Sequence, residues 1–130
     1  MAARLNIPNV PTPDIIERLK ATCEQLEQVR ILLGNALIVT SGYRSPRLNA
    51  AIAGATTSAH MQGYATDFLC PSFGTPLEVC TKIAMSGMKF DQLIFEYGQW
   101  THISFDPRMR EQILTITSPA RGYQNGLPTQ

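Results

Sequence analysis

The sequence predicts an α+β domain in which helices pack against a central, mostly antiparallel sheet. Three observations predict this class: a helical repeat of apolar residues near the amino terminus, short β-branched segments separated by Gly and Pro, and two apolar segments that flank Tyr97 and Gly98. No internal repeat or linker divides the 130 residues. We therefore expect a single domain over 1–130, with an extended lead-in over 1–11 and a loose tail over 118–130.

The first element is a helix of about five turns that begins at Pro13 and ends at Gly34. Thr12 can cap it, because proline is tolerated in the first turn of a helix. Its apolar residues recur at spacings of three, four or seven and are Ile15, Leu19, Cys23, Leu26 and Leu33. We therefore expect Cys23 to be a small core residue.

A short apolar segment rich in β-branched residues, 36–40, predicts a buried strand that leads directly to Arg44. A second, shorter helix is predicted from Ser45 through Ile52, with Gly54 ending it. Arg44 therefore follows a rigid element and can project a long cationic side chain into a cleft. A surface ion pair is the alternative role for this arginine.

The second half of the chain predicts one helix and four strands. A strand over 65–70 places Asp67 on one face with Ala65 and Leu69, because successive side chains alternate. The other elements are a helix from Pro76 to Gly87, strands over 90–96 and 100–105 that form a hairpin through Tyr97 and Gly98, and an edge strand over 111–117.

Composition narrows the possible partners and the site of synthesis. A formal net charge of +1 without a Lys/Arg run gives no electrostatic basis for nucleic-acid binding. The sequence has no apolar run of membrane-spanning length and no secretory signal, so we expect no membrane insertion. Three cysteines cannot form a closed disulfide framework, which favours cytoplasmic synthesis. Nothing in the sequence indicates the oligomeric state.

The candidate site consists of the two histidines of the chain, His60 and His102, together with Asp67. A catalytic zinc is typically held by three protein ligands from His and Asp/Glu, with the fourth position open to water or substrate. The residues therefore predict one zinc ion per chain. The same ligand types also form the facial triad of non-haem iron oxygenases, which is an alternative.

These residues lie in a recognisable pattern, whose fixed positions are Ser58, His60, Gly63, Ala65 and Asp67, followed by Trp100 and His102 and preceded by Ser41 to Arg44. The pattern resembles the zinc D-Ala-D-Ala carboxypeptidases and the related L-Ala-D-Glu endopeptidases of phage lysins, which share the Hedgehog/DD-peptidase fold. The resemblance spans roughly residues 36 to 106.

The resemblance implies a zinc peptidase that acts on peptidoglycan stem peptides and is encoded by a phage or prophage. It implies His60, Asp67 and His102 as metal ligands and Arg44 as a group that binds the substrate's carbonyl or carboxylate. Ser58 can hydrogen-bond within the site or simply order its loop. Trp100 can wall the site, serve as a core aromatic, or do both. Without a signal, such an enzyme would reach the wall after release from the cell or in a virion.

Many members of the resembled family carry the general base as an acid three residues before the third ligand, where this chain has Gln99. The nearest carboxylate is Glu96, which we take as the candidate base. A two-residue hairpin loop would pair Glu96 with Gln99 and turn both away from His102. A bulge or a longer loop is therefore required; otherwise Glu96 is a solvated hairpin charge. A zinc-containing wall-binding module without turnover is the alternative function.

Overall fold

The computed structural model describes residues 8–52 and 58–129. Three α-helices, one 3₁₀ turn and a six-stranded sheet form in this part of the chain. The helices are α1 (Pro13–Leu33), α2 (Pro46–Ala51) and α3 (Pro76–Met85), and the 3₁₀ turn is Ala59–Gln62. The strands are β1 (Ile38–Ser41), β2 (Ala65–Leu69), β3 (Gln92–Glu96), β4 (Trp100–Ser104), β5 (Gln112–Ile116) and β6 (Tyr123–Asn125).

The sheet has the order β1-β2-β4-β3-β5-β6, and every neighbouring pair is antiparallel except β3 with β5. The predicted α+β class with a mostly antiparallel sheet is confirmed. Strands β2, β4 and β3 lie at its centre and carry Asp67, His102 and Glu96. No helix of the described residues is both long and apolar enough to cross a membrane.

Helix α1 begins and ends where the sequence predicts, at Pro13 and before Gly34, whose φ of 67° is the left-handed conformation of a helix cap. The prediction for Cys23 is wrong, because this residue is exposed. The fully buried positions of α1 are Thr22, Val29 and Leu33. Thr22 tolerates burial because its hydroxyl donates to the Gly63 carbonyl at 2.7 Å. The buried face of α1 therefore includes a polar residue, Thr22, which the spacing of apolar residues does not predict.

Strand β1 is not the buried strand predicted over 36–40. It forms one edge of the sheet, and Ile38 and Val39 are 52% and 55% exposed. The β-branched composition favours extended backbone, but burial depends on whether another element covers the strand. Helix α2 starts as predicted, with Ser45 accepting a hydrogen bond from the Leu48 amide, and ends at Ala51. Its predicted terminator, Gly54, lies outside the described residues.

The carboxyl-terminal region also differs from prediction. Strand β5 is an inner strand rather than an edge, because β6 pairs with it over residues 123–125. The segment expected to be a loose tail therefore contains a short strand. The predicted lead-in has no regular structure over residues 8–11, and residues 1–7 lie outside the described part of the chain.

One face of the sheet packs against α1 and α3. The buried cluster on this face comprises Val29, Leu33, Phe68, Cys70, Val79, Cys80, Ile83, Phe90, Leu93 and Ile103. Helix α3 is held at its start by a capping box, in which the Thr75 and Glu78 side chains bond each other's backbone amides. Because side chains alternate along each strand, the residues between the core positions face the opposite side, which carries the candidate site.

Candidate metal centre

His60 lies in the 3₁₀ turn that precedes β2. The Ser58 hydroxyl accepts a hydrogen bond from the His60 amide at 3.2 Å and so caps this turn. Gly63 ends the turn with a φ of 79°, which favours glycine, and a Cβ there would lie 3.2 Å from Cγ2 of Ile15 in α1. The turn is thus pressed against α1, which fixes the position of His60.

Asp67 and His102 are direct cross-strand partners on β2 and β4. Asp67 Oδ1 lies 2.9 Å from His102 Nδ1 and 3.2 Å from His60 Nε2. The candidate donor atoms of the three residues lie within 4.8 Å of one another, and all three side chains are buried. Ligand atoms about 2.0–2.2 Å from one zinc lie roughly 3.3 Å apart in a tetrahedral site, so these separations fit a shared ion.

The hydrogen bonds of His60 support the same conclusion. Its Nδ1 lies 2.8 Å from the Gly42 carbonyl, which can only accept, so Nδ1 carries the proton. In the neutral ring Nε2 is therefore a lone pair, and it has no hydrogen-bond partner among the described residues. Burial lowers the pKa of His60 and favours this neutral form. A buried lone pair 3.2 Å from a carboxylate oxygen is an arrangement that a metal cation bound by both atoms would stabilise.

Asp67 is ionised in this arrangement. Burial alone would raise its pKa, but the adjacent His102 and His60 rings outweigh burial and hold the pKa of Asp67 well below its usual range. The second carboxylate oxygen, Oδ2, accepts a hydrogen bond from Arg44 Nη2 at 3.2 Å. Arg44 thereby turns Oδ1 towards the histidines, an orienting contact of the kind that metal sites commonly use.

Arg44 is itself fixed from two directions. Its Nε donates to the Ser41 hydroxyl at 3.2 Å, and its backbone amide donates to the His60 carbonyl at 3.0 Å. The alternative of a surface ion pair does not apply, because the Arg44 side chain is only 15% exposed and its partner Asp67 is buried. The residues at 41 and 42 that hold Arg44 and His60 were not predicted as site residues, since their contacts are made by a hydroxyl and a backbone carbonyl.

Glu96 faces the site because the hairpin loop has three residues. Glu96 pairs with Trp100 rather than with Gln99, and Ile94 pairs with His102, so Glu96 and His102 lie on the same face. Tyr97 and Gly98 both have positive φ, and Gln99 is the extra residue. The hairpin therefore has the longer loop that a catalytic Glu96 requires, and not the two-residue loop that would turn Glu96 away from His102.

The Glu96 carboxylate is close to the histidine cluster. Its Oε1 lies 3.4 Å from His102 Nδ1, and its side chain is 14% exposed. Its Oε2 accepts a hydrogen bond from the indole Nε1 of Trp100 at 3.0 Å. Burial raises the pKa of Glu96, and the nearby charge of Asp67 adds to this effect. Glu96 is therefore not a solvated hairpin charge, whereas Gln99 is exposed.

The cluster opens into a cleft of about 870 Å³. Every sequence-predicted site residue lines it: Arg44, Ser58, His60, Asp67, Glu96, Trp100 and His102. The sequence did not predict Tyr97 at the hairpin tip or Tyr123 on β6, which also line it. No local motif marks either tyrosine: Tyr97 lies in the loop between β3 and β4, and Tyr123 reaches the cleft through the pairing of β6 with β5.

The residues present fit a metal ion. Two imidazoles and one carboxylate are the donor set of a catalytic zinc site, their atoms converge, and a second carboxylate and an open cleft adjoin them. Asp67 and His102 on neighbouring strands, the buried lone pair of His60 and the nearby Glu96 thus form an arrangement that fits a metal-dependent hydrolase.

Comparison with known families leads to the same class. The family model described as Peptidase M15 matches residues 6–104, which include every candidate site residue. The chain therefore belongs to the peptidase M15 family, whose members are zinc-dependent, and this membership favours a metallopeptidase over an iron oxygenase. A search among curated proteins finds no match for the chain.

Proposed function

We propose that this protein is a zinc peptidase that hydrolyses peptide bonds in peptidoglycan stem peptides, as a D-Ala-D-Ala carboxypeptidase or an L-Ala-D-Glu endopeptidase. The main support is the buried cluster of His60, Asp67 and His102 beneath the cleft, with the Glu96 carboxylate 3.4 Å from His102. Membership of the peptidase M15 family supports the hydrolytic chemistry. The sequence motif supports the substrate class.

In the proposed reaction His60, Asp67 and His102 would hold the zinc. The ion would lower the pKa of water at the site and polarise the scissile carbonyl. Glu96 takes a proton from the attacking water and returns it to the nitrogen of the leaving amine. Burial of Glu96 suits this exchange, because it brings the acid and base forms closer in free energy near neutral pH.

The remaining residues are proposed to position the substrate. Arg44 orients Asp67 through Nη2, and its guanidinium also lines the cleft, where it can donate to a peptide carbonyl or carboxylate. Ser58 and Trp100 line the same cleft. A phage or prophage origin, with access to the wall after release from the cell or in a virion, accords with this substrate.

The test is mass spectrometry of purified peptidoglycan fragments incubated with the zinc-loaded protein, with a chelated control. New chelator-sensitive amino termini are expected for an endopeptidase, and released D-Ala for a carboxypeptidase. Intact fragments, with one zinc bound per chain, would instead support the wall-binding module without turnover.

The proton-transfer role is tested with Glu96→Gln and the matched variant Gln99→Ala. We expect Glu96→Gln to lower turnover about 10²–10⁴-fold with zinc still bound, and Gln99→Ala to leave turnover nearly unchanged. Full turnover in Glu96→Gln would remove Glu96 from the mechanism.

A further inference from the structure

The hairpin that carries Glu96 also carries a side chain that holds it. Trp100 is the cross-strand partner of Glu96, and its indole Nε1 donates to Glu96 Oε2 at 3.0 Å. The indole N–H is a single donor and cannot accept, so it takes one carboxylate oxygen and leaves the other. The free oxygen, Oε1, is the one that lies 3.4 Å from His102.

The two carboxylate oxygens of Glu96 therefore have different roles: Oε2 is held by Trp100, and Oε1 is left to face His102. A glutamate side chain has several rotatable bonds, and without a partner its carboxylate could turn out into the cleft. The Trp100 bond removes this freedom. Hydrogen bonds to a charged acceptor are also stronger than those between neutral groups, so the contact can hold a buried carboxylate in place.

The hairpin tip shows why Glu96 needs such a partner. Glu96 precedes a three-residue loop that begins with Tyr97, a residue with a φ of 57° that is unfavourable for a side chain of this kind. The Tyr97 ring packs against the Trp100 ring, with centroids 5.6 Å apart. Trp100 therefore contacts both the Glu96 carboxylate and the loop that sets the direction of the Glu96 side chain.

We propose that Trp100 is a positioning residue for Glu96: its indole N–H holds Oε2 so that Oε1 faces His102 and exchanges the proton during peptide hydrolysis. The catalytic part of this proposal rests on the proposed function. A tryptophan that only walls the cleft would contact substrate without acting through Glu96, and the two roles give different results in the following experiments.

The first experiment observes the hydrogen bond directly, without turnover. Trp100 is the only tryptophan of the chain, so a ¹⁵N-labelled sample gives one indole N–H resonance. In both the zinc-loaded and the chelated protein, Glu96→Ala should shift this resonance and speed exchange of its proton with solvent. The control Glu17→Ala, on the exposed surface of α1, should leave the resonance unchanged. An unchanged resonance in Glu96→Ala would overturn the proposal.

The second experiment is a double-mutant cycle with Trp100→Phe, which keeps a ring but removes the N–H. We expect kcat to fall about 10–100-fold with little change in KM and with zinc still bound, because a misplaced base weakens the transition state. In the Glu96→Gln background the same change should cost almost nothing further. An equal loss in both backgrounds, or a rise in KM alone, would show that Trp100 acts on substrate instead.

The two experiments separate failure of this proposal from failure of the proposed function. If the zinc-loaded wild-type protein cleaves no stem peptide, the proposed function and the catalytic role of Trp100 both fail. The indole resonance then still decides whether Trp100 fixes the Glu96 carboxylate. If the protein cleaves stem peptides and the cycle is additive, only the role of Trp100 fails.

Discussion

The two faces of the central sheet are buried to a similar depth but hold different chemistry. On one face Phe68, Leu93 and Ile103 are fully buried against the helices. On the other face their neighbours Asp67 and His102 are 3% and 6% exposed and contact charged or polar groups. Apolar side chains gain free energy from burial itself, whereas buried polar ones require partners. The comparison indicates that one face mainly stabilises the fold and the other is organised to bind a cation.

The largest expected effect on stability comes from the apolar face. Phe68→Ala should lower the free energy of unfolding by about 3–5 kcal/mol, because it removes a fully buried ring and leaves a cavity. Urea denaturation measures this loss, which should be similar with and without zinc. The control Val39→Ala, at a half-exposed position of β1, should change stability by no more than about 0.5 kcal/mol. Equal effects of the two changes would contradict the division between the faces.

The polar face should respond to zinc instead. Zinc at about 100 times its dissociation constant should raise the free energy of unfolding by about 2.7 kcal/mol, because the ion binds the folded site. His60→Ala should abolish this increment, since it removes one of the three donors. Thermal unfolding with and without chelator gives the comparison. An undiminished zinc effect in His60→Ala would place the ion elsewhere.

Asp91 is a buried charged residue outside the candidate site, directly before β3. Its two oxygens accept three hydrogen bonds of 2.9 Å from the Arg110 amide, Nε and Nη2, and the Arg110 side chain lowers the pKa of Asp91. Asp91→Asn should cost about 1–3 kcal/mol at pH 7. The native pKa is depressed, so this stability is present above about pH 4 and is lost as pH falls through the native value.

Urea denaturation of both proteins across this pH range tests the Asp91 prediction. Asp106→Asn is the matched control, because Asp106 pairs with the exposed Arg108 and should cost at most about 1 kcal/mol. A difference between wild type and Asp91→Asn that grows on acidification would have the wrong sign.

The smallest effect concerns thiol chemistry. Cys80 is fully buried, and burial raises its pKa to about 11, whereas Cys23 is exposed on α1. In native protein at about pH 8 an alkylating reagent should modify Cys23 first and Cys80 only after unfolding, because the thiolate is the reactive form. Peptide mapping of alkylated protein gives the order. Equal rates would show that α3 does not shield the core face.

The sequence patterns whose structural predictions are confirmed depend on local chemistry. Pro13 and Gly34 mark the ends of α1 because of their own backbone constraints. Asp67 lies on the face opposite Phe68 because strands alternate. The patterns that failed depend on distant contacts. Cys23 and β1 were expected to be buried from their apolar composition, but Thr22 occupies the buried position and no described element beyond β1 extends the sheet.

The sequence by itself determined the mostly antiparallel α+β fold and the metal-binding candidates, because ligand chemistry resides in the residue types of His60, Asp67 and His102. Only the tertiary structure decided which way Glu96 faces. Its direction depends on one additional loop residue, and a shift of one residue reverses every side chain of a strand. The tertiary structure likewise decided that Trp100 bonds Glu96 and that Arg44 bonds Asp67. These residues come together because of how the strands pair, which the local sequence does not specify.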